Sequence, residues 1–374
     1  MQMKALVYCE NEFGKIDGKV ANGLVRCSEN YEIVGIIDSS KKGLDAGEYL
    51  DGEKTGIPIF NNLNDAVDNL NYIPEYFIYG IAPLALFLDI EQRNIIFAAM
   101  KKGMNIVNGL PEFLTDDKEF IQKSLDYSVK IFDVRKPPKR QDQHIFSGRN
   151  FAVKTPTVVV FGTDCATGKR TTALKLVAAL RKHGLKTAFI TTGQTGILQG
   201  SQYGIAVDVL TSGFATGEIE NAIVEAVETE HPDIIIVEGQ GALSHPAFTS
   251  SSAIIRGAKP NAIIVQHPPK RVNHCDYPDI PMPTVESEIE LIEMFSKTKV
   301  IAITLNHEDM TDAEINETIT VYEETYKLPT TDVLKHGCDK LVNKLLETFP
   351  ELSDRKGYLY DNSQARDRPC ENCA

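Results

Sequence analysis

Four consecutive apolar residues at 158–161 run directly into a loop bounded by Gly162 and Gly168, and Lys169 comes just before a segment of helical periodicity at 171–180. Strand, loop and helix in that order confine this part of the chain to a parallel α/β sheet, because a strand apolar at every position is buried on both faces. The loop between them directs backbone N–H groups and a helix N-terminus at one point, which favours bound phosphate. Gly162, Thr163, Asp164, Cys165, Gly168, Lys169, Arg170, Thr171 and Thr172 are therefore the expected cofactor-binding residues. Two departures from the usual phosphate loop bear on its chemistry. Five residues rather than four separate the glycines, and Arg170 occupies the position where Ser or Thr would place a hydroxyl on Mg²⁺. Either Thr171 or Thr172 takes over that hydroxyl role, or the loop holds phosphate without a metal and Arg170 supplies the charge.

The chain has 374 residues, more than one typical domain, and two are expected. A net charge of −13 argues against general binding to nucleic acid or an anionic membrane, since the summed field repels phosphate polymers. The expected partners are a small-molecule substrate and further copies of the chain. Glu10, Glu12 and Lys15 interrupt the first apolar residues, so neither a signal peptide nor a membrane span is expected and the reading is cytoplasmic. Seven scattered cysteines do not form a disulfide framework. Cys370 and Cys373 end the chain in a polar tail without a second pair at zinc spacing, and no metal site is expected. Cys165 lies in the phosphate loop near a helix N-terminus, yet reads as a small packing residue.

Residues 1–150 read as a Rossmann-like α/β domain. Strands are expected at 5–9, 33–37, 76–81, 105–107 and 129–134, with helices at 18–27 and 90–102, the latter carrying Ile90, Phe97 and Met100 on one face. Glu10 to Gly14 follow the first strand in place of a glycine-rich turn, and Asp38 ends the second, so no tight dinucleotide site is expected. A basic, proline-containing connection at 134–140 leads to a phosphate-loop α/β domain at 151–352 and a polar tail at 353–374. Further strands in that domain are expected at 186–192, 234–237, 262–266 and 300–305, and a helix at 217–230. Loops at 192–196, 238–241, 266–267 and 306–307 then share the carboxyl edge with the phosphate loop and line one cleft.

Glu238 stands after an apolar strand and before a glycine, where a nucleotide-binding fold puts an acid to hold Mg²⁺ or accept a proton. His245 follows seven residues later and is a candidate base, with a pKa naturally near neutrality. Gln194 and Thr195, in a polar loop, are candidate substrate contacts. His267, Arg271 and His274 form a cluster better suited to a carboxylate or phosphate than to a metal.

Residues 162–164 with Gly168 and Lys169, and residues 237–239, resemble the phosphate loop and metal-acid strand of dethiobiotin synthetases, from which Arg170 departs. A closer resemblance spans nearly the whole chain. Residues 133–138, 162–166 with 168–172, 192–196 and 237–241 with His245 and Pro246 resemble a two-domain family, once labelled only as a domain of unknown function, of D-glutamate N-acetyltransferases. That resemblance implies a Rossmann-like domain followed by a phosphate-loop domain, with acetyl-CoA as co-substrate. Under it, Lys169, Arg170 and the loop amides hold the phosphates of coenzyme A. Glu238 or His245 is the base, loop N–H groups or Gln240 stabilise the oxyanion, and Arg256, Arg271 and His267 receive the substrate carboxylates. The first resemblance implies instead an ATP- and Mg²⁺-dependent kinase or ligase. A nucleotide-sensing regulator without turnover is the third alternative.

Overall fold

A computed structural model describes residues 2–83 and 87–355. The tail from 356 onward, with Cys370 and Cys373, lies outside the described residues. The chain divides into two compact units, one of Met1–Pro137 with Gln194–Gly200, the other of Pro138–Gly193 with Ser201–Ala374.

The first unit is a six-stranded parallel sheet formed by β1 (Met3–Tyr8), β2 (Tyr31–Ile37), β3 (Ile59–Phe60), β4 (Tyr76–Tyr79), β5 (Asn105–Asn108) and β6 (Ile131–Asp133), in the order β3-β2-β1-β4-β5-β6. That is the strand order of a Rossmann sheet. β1 is central, pairing with β2 on one side and β4 on the other, and Ala5, Leu6 and Val7 are wholly buried. The helix Ile90–Lys101 buries Ile96, Ala99 and Met100, while Ile90 is exposed, which corrects the expected face. Ile90 is the first residue of that helix, directly after its Asp89 cap. Asp38 is buried and accepts from Ser40 N–H, Lys41 Nζ and Phe13 N–H.

The second unit holds seven parallel strands: β7 (Thr157–Gly162), β8 (Thr187–Thr191), β9 (Tyr203–Gly204), β10 (Ile234–Glu238), β11 (Ala262–His267), β14 (Val300–Leu305) and β15 (Thr330–Thr331). Their order is β15-β14-β11-β7-β10-β8-β9, and a hairpin of β12 (Asn273–His274) and β13 (Tyr277–Pro281) stands apart. β7 is central, and all six of its residues are buried, so side chains from both faces fill separate cores. The segment after Pro137 belongs to this unit because helix Ser212–Glu230 anchors it. Glu218 accepts from His144 N–H, and Glu220 from the N–H groups of Ser147 and Asn150. Of residues 192–196, expected as a loop, 194–196 instead begin the helix Gln194–Gln199, whose Gln199 Nε2 donates to the carbonyls of Gly23 and Cys27 in the first unit. Among the described residues no helix is long and apolar enough to cross a membrane.

Gly217 fixes how closely the segment near His144 can lie on its helix. A Cβ there would come within 2.3 Å of His144 O and 2.5 Å of Phe146 N, both backbone atoms. Gly217→Ala gains about 1 kcal/mol of helix propensity but forces this backbone apart, at a cost of about 1–3 kcal/mol. A lowered thermal midpoint is the expected outcome, and a raised one would mean that the segment yields freely.

Candidate functional site

β7 ends at Gly162, where a Cβ would meet Gln266 O at 2.8 Å and Thr167 Oγ1 at 2.9 Å, so only glycine lets the loop fold this tightly against β11. Ala166 and Gly168 take left-handed φ values of 49° and 98°, the kind of backbone from which anion-binding loops are built. The helix Lys169–Lys182 follows with no side-chain cap on its first turn. Thr163 N–H donates to Gln266 O, and Asn306 Nδ2 to Thr167 O, which ties the loop to the ends of β11 and β14.

Lys169 is buried, and its ammonium donates to Asp164 O and to Thr167 Oγ1. Burial pulls its pKa down, against the opposing field of Cys165 and Asp164. Both contacts are neutral oxygens, so an anion arriving here would meet a poorly compensated cation. Thr172 is also buried, and its hydroxyl donates to Gln266 Oε1, which points it into the sheet and away from the metal-hydroxyl role. Arg170 and Thr171 are half-buried on the first helical turn.

Asp164 is the point on which the site converges. Its buried carboxylate accepts from Arg271 Nη1 at 2.9 Å, His274 Nδ1 at 2.7 Å and Cys275 N–H at 2.9 Å. His245 Nε2 lies 3.7 Å from the same carboxylate. Burial pushes the Asp164 carboxyl upward, but hydrogen bonds from His274, the backbone of Cys275 and Cys165, and Arg271 together hold it below its ordinary value. Arg271 also donates to Cys165 O and Ala166 O and pairs with Glu308. Its guanidinium therefore staples the phosphate loop rather than standing open to a substrate carboxylate, because loop carbonyls and two acids already take its donors.

The other expected residues divide. Glu238 is buried at the end of β10, with Oε2 accepting from Thr191 Oγ1 at 2.6 Å and Thr192 N–H at 3.1 Å. Gln240 donates Nε2 to Thr192 O, which draws its amide toward β8. His267 receives or donates a 2.8 Å bond with Thr163 Oγ1, and burial followed by the field of Arg271 pushes its pKa down to about 4. It is neutral near pH 7 and supplies no cation to a carboxylate. Arg256 is in the last turn of the helix Ser250–Ala258, which runs back from the strands' carboxyl ends. Its guanidinium bonds Ser252 O and stacks 4.6 Å over Phe295, so a substrate contact there is not supported. Gln194 and Thr195 are buried on the helix Gln194–Gln199, which groups with the first unit.

His274 is the residue whose part the sequence least disclosed. Only a two-residue strand precedes the turn to β13, and nothing in the spacing from Asp164 announces their contact. Asp164, His245 and His274 bring three ligand-type atoms within 4.8 Å, and Cys165, His245 and Asp276 form a second such group. Hydrogen-bond direction argues against a cation at His245. Its Nδ1 accepts from Ala247 N–H and Phe248 N–H at 3.2 Å each, so Nε2, facing Asp164, carries the hydrogen.

A family profile described as "Domain of unknown function (DUF1611_C) P-loop domain" matches residues 144–342. A second, "Domain of unknown function (DUF1611_N) Rossmann-like domain", matches residues 39–137. The chain belongs to the DUF1611 family. It is 32% identical over 275 residues to a protein named D-glutamate N-acetyltransferase from Pseudoalteromonas sp, a match covering 72% of this chain and 80% of that one. A protein of the same name from Tritonibacter scottomollicae is 29% identical over 274 residues, with the same two shares. The crystal structure of a DUF1611 family protein from Anabaena variabilis has a TM-score of 0.84 at 28% identity, covering 92% of this chain and 100% of that chain.

His267 sets a pH dependence. The folded protein keeps it neutral down to about pH 4, whereas the unfolded chain takes up the proton near the ordinary 6.5. Its contribution is complete above pH 6.5 and is lost as pH falls through 4, because the unfolded state binds more protons in that window. Urea unfolding of His267→Gln should therefore show a shallower loss of stability between those pH values than wild type. An identical slope would show that His267 titrates normally.

Proposed function

We propose that this protein is an acetyl-CoA-dependent N-acetyltransferase acting on D-glutamate or a closely similar amino acid. The observation that carries this reading is the name borne by the two relatives at 32% and 29% identity, each matched over 80% of its length. The phosphate loop supports it independently. Coenzyme A carries a pyrophosphate and a further ribose phosphate, and a loop with buried Lys169, neighbouring Arg170 and an uncapped helix N-terminus suits such a ligand. Arg170 at the metal-hydroxyl position, and Thr172 turned toward Gln266, suit phosphate held without hydrolysis. Acetyl transfer then requires an acceptor amine made neutral by a base and a carbonyl oxygen steadied by donors as it becomes an oxyanion. Glu238, with Oε2 fixed by Thr191 and Thr192, would hold the acceptor's ammonium before that proton leaves.

Incubating the protein with acetyl-CoA and D-glutamate should release free thiol in the presence of EDTA and without ATP. If no thiol appears across a panel of D- and L-amino acids while Mg²⁺-dependent ADP or AMP formation does, the protein is a kinase or ligase instead. Tight binding of coenzyme A or nucleotide with no turnover at all would favour a regulator.

Lys169→Ala with Arg170→Ala removes two charge-assisted contacts of about 1.5–3 kcal/mol each. Calorimetry should show coenzyme A affinity reduced by about a hundredfold or more. Unchanged affinity would move the donor site away from this loop.

A further inference from the structure

Two histidines over the phosphate loop stand in complementary tautomers. His274 Nδ1 lies 2.7 Å from Asp164 Oδ1, and a carboxylate held ionised has no hydrogen to give, so Nδ1 carries it and, in the neutral ring, Nε2 has the lone pair. His245 is reversed, for its Nδ1 accepts two backbone N–H groups. Its Nε2–H is buried without a hydrogen-bond partner. Leaving such a donor unpaired is unfavourable, and a ligand oxygen would relieve it. The imidazole cannot easily turn to find another partner, being stacked on Phe248 at 4.6 Å and set edge-on to His274 at 4.6 Å.

Resting on the acetyl-transfer reading above, we infer that these two residues divide the chemistry. His274, oriented by Asp164, removes the proton of the attacking amine through Nε2, while His245 donates Nε2–H to the thioester oxygen as it becomes an oxyanion. The amine nitrogen forms a bond to the carbonyl carbon, and its proton passes to His274 Nε2. The carbon–sulfur bond then breaks, and His274 returns the proton to the departing sulfur, giving the amide and free thiol with the dyad restored.

The surroundings suit that division. Asp164 from the phosphate loop and His245 from the loop after β10 face His274. Arg271, on Asp164, keeps the carboxylate an acceptor. Burial lowers the pKa of His245 and so favours a neutral donor. Glu288 accepts from Leu243 N–H and Ser244 Oγ, which fixes the backbone just before His245.

Long-range proton–nitrogen spectra of the full-length protein labelled at histidine read the tautomers directly, with His245→Gln and His274→Gln supplying the assignments. Near neutral pH, hydrogen on Nδ1 of His274 and on Nε2 of His245 is the expected result, and one shared tautomer would overturn the inference. In the thiol-release assay His274→Gln should lower kcat by about 10²–10⁴ while acetyl-CoA affinity stays within about threefold. Added imidazole should restore part of the activity of His274→Ala, which a purely structural role would not allow. Near-normal turnover in folded His274→Gln, or a greater loss in Glu238→Gln, would give the proton to another group. Stoichiometric zinc in the purified protein, with activity lost to chelators and regained on adding zinc, would overturn it as well. Should wild type release no thiol from any acceptor, the acetyltransferase reading fails on its own and the spectra alone decide the tautomers.

Discussion

The phosphate-loop unit depends on one buried carboxylate. Asp164 gathers donors from a guanidinium, an imidazole and a backbone amide, all from one segment remote in sequence. Without them, desolvation would hold an ionised carboxylate in this position only at a cost of several kcal/mol. With them, the loop is pinned at its third residue, and the segment from Arg271 to Cys275 is drawn down over it. The same contacts assign the hydrogens: a carboxylate that only accepts forces His274 into one tautomer. Structure and chemistry here share a single interaction.

Much of the fold was legible because buried parallel strands are continuous apolar runs. The strands expected at 158–161, 234–237, 262–266 and 300–305 appear within a residue or two of β7, β10, β11 and β14. Two-residue strands such as β3, β9 and β15 were invisible, since two residues carry no periodicity and neighbouring strands recruit them. The helix Gln194–Gln199 was missed for a different reason. Its polar, glycine-containing start reads as a loop, and its burial comes from contacts with the first unit, including Gln199 with Gly23 and Cys27, that no local pattern announces.

The candidate site was legible at the loop and obscure around it. Glycine spacing and Lys169 mark a phosphate cradle from sequence alone, because backbone geometry there demands those residues. Arg256, Arg271 and His267 read as cations awaiting an anion, and all three are engaged otherwise. Arg256 lies at the wrong end of its helix, Arg271 is enclosed by acids and loop carbonyls, and burial keeps His267 neutral. Residue type gives the capacity for charge, but only the surroundings decide whether that charge is available.

The acidic excess of the chain has a related explanation. Several of its carboxylates face inward and serve as acceptors for backbone N–H groups. Asp45 takes those of Gly47, Glu48, Thr55 and Gly56; Asp133 those of Leu114 and Thr115; Glu220 those of Ser147 and Asn150; Asp332 those of Leu334 and Lys335. A carboxylate can satisfy several donors where loops leave the sheet, so each one organises a turn that strand pairing cannot reach. These carboxylates keep their charge, so the acidic excess still repels anions in general, and an anionic ligand depends on local cations such as Lys169.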